Sequence, residues 1–137
     1  MAIRPDDHRP LLDRILSDYG LAPSALAIVP DVQEWSRGHR EEEPEPFRQA
    51  KWIRFADGTF HIAMADVLTD DMINGGKGAM DFRGMASSVE TLDTDMKYLV
   101  HLLPHEIAGH VLRTGEQIPR SQWAFKQLSK YVPNAEP

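Results

Sequence analysis

Residues 102–113 read LLPHEIAGHVLR, an apolar run that carries two histidines and a glutamate. Ionisable side chains are costly in such surroundings unless they are paired or serve a function. The letters place His105, Glu106 and His110 in an H-E-x-x-x-H pattern. The related pattern H-E-x-x-H on a helix binds zinc through both histidines and uses the glutamate as general base. The stretch therefore predicts a metal-binding helix whose second histidine comes one residue late.

The extra residue alters the geometry of the two histidines. Successive residues of an α-helix are 100° apart, so His105 and His110 would point about 140° apart and could not share an ion. One π-type turn would bring them onto one face, and Gly109 would ease that turn. Pro104 cannot donate a backbone bond to Val100, which favours a kink immediately before His105. We therefore predict a non-α turn between the histidines or a break at Pro104.

The motif lies at the end of a longer helical pattern. Ser87 and Glu90 fit a capping box, so the helix is predicted to begin near Ser88. Apolar residues then recur at helical spacing, at Leu92, Met96, Leu99, Leu103 and Ile107. The Thr114-Gly115 pair is placed to end the helix.

Two alternatives to the His105–His110 pair remain open. His101 and His105 lie one helical turn apart and form a rival metal pair that needs no π turn, although it gives Glu106 no role. The second alternative is a helix with two incidental histidines, since short motifs also arise by chance.

The letters from His105 to His110 also resemble the H-E-x-x-G-H motif of the dipeptidyl-peptidase-three type of zinc peptidases and of zincin-like domains in phage-related proteins. The resemblance covers six residues and their apolar flank. It implies a zincin-like helix on which His105 and His110 bind Zn²⁺ and Glu106 is the general base for peptide-bond hydrolysis. The third ligand of those peptidases is a glutamate in a downstream E-E-x-x-A-type motif, which this chain does not contain.

Glu116 is the nearest downstream carboxylate, six residues after His110. Metzincin-type motifs place their third ligand at the same distance from their second histidine. We therefore expect Glu116 to complete the metal site, with a solvated glutamate at the helix exit as the alternative. The missing downstream motif also keeps open a non-catalytic, zincin-like binding or interaction module on the same scaffold.

A hairpin is predicted before the motif. Residues 51–55 and 59–65 are apolar and β-prone, and an Asp-Gly pair separates them. Residues 26–29 are a further possible strand. In zincin-like folds the edge strand of such a sheet aligns an extended substrate, so we expect 59–65 to be that edge. His61 on this strand could face the cleft, although a surface or cross-strand histidine is the commoner case.

The predicted fold class is α+β, with a small antiparallel sheet packed against the long motif-bearing helix. Residues 8–19 and 120–131 are expected to form N- and C-terminal helices. A charged, proline-bearing stretch at 36–46 is expected to be an exposed loop. Residues 66–74 predict a short helix, and the glycines at 75–78 predict a flexible loop after it.

Composition limits the classes of function. A chain of 137 residues is expected to be a single domain. It has no cysteine, so a metal must be held by histidine and carboxylate, and a cytoplasmic location is expected. The net charge of −6 and the scattered basic residues argue against nucleic acid. Because no apolar run reaches membrane-spanning length, we expect no membrane partner. The resemblance to zinc peptidases implies a peptide or protein substrate.

Overall fold

The structure is a computed structural model that describes residues 3–38, 49–114 and 116–132. Its strands are β1 (Leu26–Val29), β2 (Ala50–Arg54) and β3 (Phe60–Ala65). Its helices are α1 (Arg9–Asp18), α2 (Val32–Arg37), α3 (Asp70–Phe82), α4 (Ala86–Val89), α5 (Asp95–Val111) and α6 (Gln117–Gln127). The α+β class is confirmed, and α5 is the long helix that carries the motif.

The hairpin forms where the sequence predicts it. β2 and β3 pair antiparallel, with Ile53 opposite His61. In the turn, the backbone N–H of Thr59 donates to Asp57 Oδ1 at 3.0 Å. The Phe55 N–H donates to the Thr59 carbonyl at 2.8 Å and closes the end of the ladder.

The third strand changes the predicted sheet. β1 runs parallel to β3, with Leu26 opposite Ile62, so the sheet is mixed and not purely antiparallel. The strand order is β1-β3-β2, which makes β3 the central strand. The prediction of 59–65 as an edge was therefore wrong. Ile62, Ala63 and Met64 are all fully buried, and consecutive buried residues are typical of a strand covered on both faces.

Helix α5 begins later than predicted. Thr94 is its N-cap, and the Thr94 side chain accepts a hydrogen bond from the Lys97 N–H at 3.2 Å. The short helix α4 and a turn occupy the residues between Met85 and Thr94, where the long helix was expected to begin. Leu92 lies in that turn and is fully buried.

Helix α5 runs through Pro104 as one α-helix to Val111, so the predicted non-α turn or break is wrong. Proline inside a helix costs about 3 kcal/mol. Leu99, Leu103 and Ile107 on the same helix are fully buried. Each such side chain contributes about 1.5–3 kcal/mol by leaving water, so tertiary packing outweighs the local penalty.

Gly109 has a different role from the one predicted. It does not loosen the helix but makes room for the indole of Trp52, which packs against α5 from β2. A Cβ at position 109 would lie 2.5 Å from Trp52 Cε2 and 2.6 Å from Trp52 Nε1. The glycine therefore sets how closely the sheet approaches the motif helix.

Residues 75–78 are helical, so the predicted glycine loop is also wrong. Thr69 caps α3 by accepting from the Met72 N–H at 3.2 Å, and the helix continues to Phe82. Gly76 lies directly against the Tyr98 hydroxyl, where a Cβ would overlap that side chain. The small residue thus brings α3 against α5.

The predicted terminal helices are confirmed, and α1 and α6 both contact α5. Leu12, Ile15 and Leu16 of α1 are fully buried. The Tyr131 hydroxyl donates to Asp18 Oδ2 at 2.8 Å and ties the two ends of the described chain together.

The predicted exposed loop at 36–46 begins inside α2. Ser36 belongs to that helix and is fully buried, so the predicted loop start is wrong. Residues 39–46 lie outside the described residues.

Candidate functional site

A cavity of about 260 Å³ lies beside the motif helix. Four elements line it: β2, α3, α5 and α6. The lining residues are Gln49, Ala50, Lys51, Trp52, Gly76, Ala79, Met80, Arg83, Tyr98, His101, Leu102, His105, Glu106, Gln117, Arg120 and Ser121. Two of the predicted site residues, His105 and Glu106, are thus on its wall.

The Glu106 carboxylate is held by a buried ion pair. Arg120 Nη2 lies 3.1 Å from Glu106 Oε2, and the two residues are only 4% and 7% exposed. Arg120 Nε also donates to the His105 carbonyl at 3.2 Å. The guanidinium therefore fixes the predicted base against the backbone of its own helix. Arg120 is fourteen positions away on the next helix, where local spacing in the sequence gives no signal of the pair.

His105 is oriented by two side chains of α6. Its Nε2 lies 2.9 Å from Gln117 Oε1, and its Nδ1 lies 3.0 Å from Ser121 Oγ. The amide oxygen can only accept, so Nε2 carries the proton and Nδ1 accepts from the serine hydroxyl. Burial, followed by the Arg120 guanidinium, lowers the pKa of His105 to about 4. The imidazole is therefore neutral at pH 7, the form that binds a metal.

His101 lies one turn before His105 and is 2% exposed. Its ring packs against Phe125, with the ring centroids 4.3 Å apart. Burial lowers the pKa of His101 to about 3, so this ring is also neutral. Within the described residues its Nδ1 is enclosed and has no hydrogen-bond partner.

His110 faces a different part of the molecule. Its ring lies 4.8 Å from the Phe60 ring, and its Nδ1 lies 3.2 Å from Arg54 Nη2. Burial and then the Arg54 guanidinium lower the pKa of His110. His110 is not among the residues that line the cavity. The regular helix thus leaves His105 and His110 on separate faces, as the 140° separation requires.

Glu116 also stays apart from the cavity. It is exposed and precedes α6 as its N-cap, and its backbone N–H donates to Thr114 Oγ1 at 3.2 Å. Across residues 3–38, 49–114 and 116–132, no three histidine, aspartate or glutamate side chains are grouped so that they could hold one ion. The predicted set of His105, His110 and Glu116 is therefore not assembled.

His101 and His105, the rival pair, are placed better for sharing a zinc ion than His105 and His110 are. Two imidazoles that bind one tetrahedral zinc at about 2.0–2.1 Å have ring centroids about 5 Å apart. The His101 and His105 centroids are 5.8 Å apart. To bind an ion, His105 must release one of its two hydrogen bonds, and exposed Gln117 is the freer partner. Ser121 would then keep the ring oriented, as outer partners of metal-bound histidines do. A catalytic zinc site uses three protein ligands, of which this pair could provide two.

Two further residues shape the cavity. The Tyr98 hydroxyl donates to Gln49 Oε1, and Gln49 Nε2 donates to the Met72 carbonyl at 2.5 Å. Burial raises the pKa of Tyr98, which keeps its hydroxyl protonated. Tyr98 stands seven residues before His105, so the helical repeat in the sequence already put the two on one face.

His61 does not reach the cavity. Its ring stacks on Phe55 with the centroids 3.8 Å apart, and its Nε2 lies 2.8 Å from Thr59 Oγ1. It is a strand histidine at the hairpin surface, the commoner of the two cases considered from the sequence.

Comparisons with known proteins return no match to a family model, a curated protein or a solved structure. In the part of the chain that the structure describes, every helix is too short or too polar to cross a membrane.

Proposed function

We propose that the protein is a zinc-dependent hydrolase of the peptidase type whose ion is held by His101 and His105. The observation that carries the proposal is the pair of neutral imidazoles, one turn apart with centroids at 5.8 Å, on the wall of a cavity that also holds Glu106. Two protein nitrogens and a nearby carboxylate suit zinc chemistry in a chain without cysteine.

Bound zinc would supply a Lewis acid and an activated water. Glu106 would accept the proton from that water, and Arg120 keeps its carboxylate in place at 3.1 Å. Ser121 holds the His105 ring through Nδ1. Each of these roles uses a side chain that lines the cavity.

The substrate proposed is a peptide, in a cytoplasmic setting that the cysteine-free sequence suits. Ala50, Lys51 and Trp52 of β2 line the cavity, and β2 is an edge strand of the sheet. An extended peptide could add to this edge by main-chain pairing. The aligning strand is therefore β2 and not β3.

The metal site is tested by zinc analysis of untagged protein and three alanine variants. We expect close to one zinc per chain in the wild type and in His110→Ala, because His110 lies on another face. His101→Ala and His105→Ala each remove a ligand and should lose the metal. Zinc retained by His101→Ala but lost by His110→Ala would contradict the assignment, as would a wild type that binds none.

A non-catalytic binding module is the second candidate. Two observations favour it: the described residues supply no third metal-binding side chain, and Glu106 is engaged by Arg120. The two functions are separated by turnover of a broad peptide library by zinc-loaded protein. Hydrolysis that is lost in Glu106→Gln while zinc is retained supports the enzyme, since glutamine cannot act as base. Zinc binding without turnover in the wild type supports the module.

A further inference from the structure

The charge of the cavity is opposite to that of the whole chain. Among residues 3–38, 49–114 and 116–132, its charged lining consists of three cations, Lys51, Arg83 and Arg120, and one carboxylate, Glu106, a formal charge of +2 for these side chains. The chain itself carries −6. A cationic recess on an acidic protein attracts anionic groups selectively.

Within the part of the chain that the structure describes, Arg83 is the one of these cations whose side chain has no partner, since Lys51 has an interaction of its own. Arg120 is already engaged by Glu106 at 3.1 Å. The Arg83 side chain is exposed and forms no hydrogen bond or ion pair with residues 3–38, 49–114 or 116–132. Its guanidinium is close enough to His105 to lower the pKa of that imidazole, so it shares the cavity with the proposed metal ligand.

The end of α3 holds Arg83 in place. The Met85 N–H donates to the Met80 carbonyl at 3.1 Å, and the Gly84 N–H donates to the Asp81 carbonyl at 2.9 Å. Gly84 has φ +84°, the left-handed conformation that glycine adopts without strain. These bonds form a Schellman motif, and the buried Met80 and Met85 stand at the two positions whose hydrophobic contact frequently accompanies it. Arg83 is therefore presented from a fixed helix end.

We propose that Arg83 binds a carboxylate group of a short peptide in this cavity. A guanidinium pairs with a carboxylate through two parallel hydrogen bonds. The cavity of about 260 Å³ is below the usual ~300–1,000 Å³ of drug-sized sites, so it accepts only one or two residues. Because only one or two peptide residues fit, the carboxylate that reaches Arg83 belongs either to the C-terminus of the peptide or to an acidic side chain in its last residues. That the bound peptide is a substrate rests on the proposed function.

The test measures binding to EDTA-treated protein by calorimetry, so it requires neither zinc nor turnover. The probes are N-acetyl-alanyl-alanine, its C-terminal amide, and N-acetyl-glutamyl-alanine amide, whose only carboxylate is on a side chain. The variants are Arg83→Gln, Arg83→Lys and, as control, Arg37→Gln. Arg37 is an exposed arginine at the end of α2 that does not line the cavity.

For the wild type and Arg37→Gln we expect the free acid to bind about tenfold more tightly than the amide. This is the difference in affinity that one charge-assisted hydrogen bond contributes. Arg83→Gln should remove this preference, and Arg83→Lys should keep part of it, because it retains charge but not the paired geometry. If the side-chain acid binds with the same Arg83 dependence, the carboxylate source is acidic residues. Equal binding of acid and amide, an unchanged preference in Arg83→Gln, or no binding of any probe would overturn the inference. None of these results depends on zinc, so failure here and failure of the proposed function remain distinguishable.

Discussion

Gly109→Ala should destabilise the protein, although alanine is the better helix former. A Cβ at this position would lie 2.5 Å from Trp52 Cε2. Carbon atoms in ordinary contact are about 3.5–4.0 Å apart, so the indole must move by about 1 Å. Overpacking of this kind costs about 1–3 kcal/mol, and the helix propensity of alanine returns about 1 kcal/mol. We therefore expect a net loss of up to about 2 kcal/mol in the free energy of unfolding.

The control is the same substitution in a Trp52→Ala background. There the steric cost is gone, and Gly109→Ala should stabilise the protein by about 0.5–1 kcal/mol. Urea unfolding followed by circular dichroism measures both effects. The free energy of unfolding falls by about 1–3 kcal/mol per molar urea, so changes of this size shift the unfolding midpoint by a measurable amount. A stabilising Gly109→Ala in the wild-type background would refute the packing role of the glycine.

Three further predictions concern the site. Arg120→Met should lower the free energy of unfolding by about 3–5 kcal/mol, because a buried ion pair loses one partner; urea titration should show that adding Glu106→Leu recovers most of the loss. The stability of EDTA-treated protein should fall as the pH is lowered below about 6.5, by up to about 3 kcal/mol per pH unit. Unfolded His101 and His105 each take up a proton that the folded rings refuse until about pH 3 and about pH 4. Urea midpoints against pH measure this slope, and His101→Phe should remove about half of it, because His105 still contributes its share. Ser121→Ala should weaken zinc binding about 10–100-fold in a competition assay, since the serine orients His105.

Local signals in the sequence predicted the hairpin and the motif helix. The Asp57-Gly58 pair fixes a turn through its own side-chain and backbone bonds, which act over only a few residues. The apolar repeat from Met96 to Ile107 lies within α5, and its spacing predicts a helix because it matches one buried face. Both signals are contained within the segment that they describe.

Local signals failed where tertiary packing decided the outcome. Pro104 and the glycines at 75–78 disfavour a helix by themselves, yet all of them lie in one. Pro104 is buried and Gly76 lies against the Tyr98 hydroxyl, so packing between elements outweighs the local preference at these two positions. The parallel pairing of β1 with β3 joins residues 36 positions apart, and no spacing rule reports such a partner. Arg120 is a similar case, since its pairing with Glu106 depends on how α6 lies on α5.

The candidate site was predicted in part. His105 and Glu106 line the cavity, while His110 faces Phe60 because the helix stays regular. The sequence also offered His101 as the alternative partner of His105, and the regular helix favours that pair.

The most direct test of the proposed site is anomalous X-ray scattering at the zinc edge from crystals grown with zinc. We predict a single strong peak bonded to one nitrogen of His101 and one of His105, whose rings are already 5.8 Å apart. A peak bonded to His110 instead, or no peak within bonding distance of both His101 and His105, would contradict the proposed metal centre.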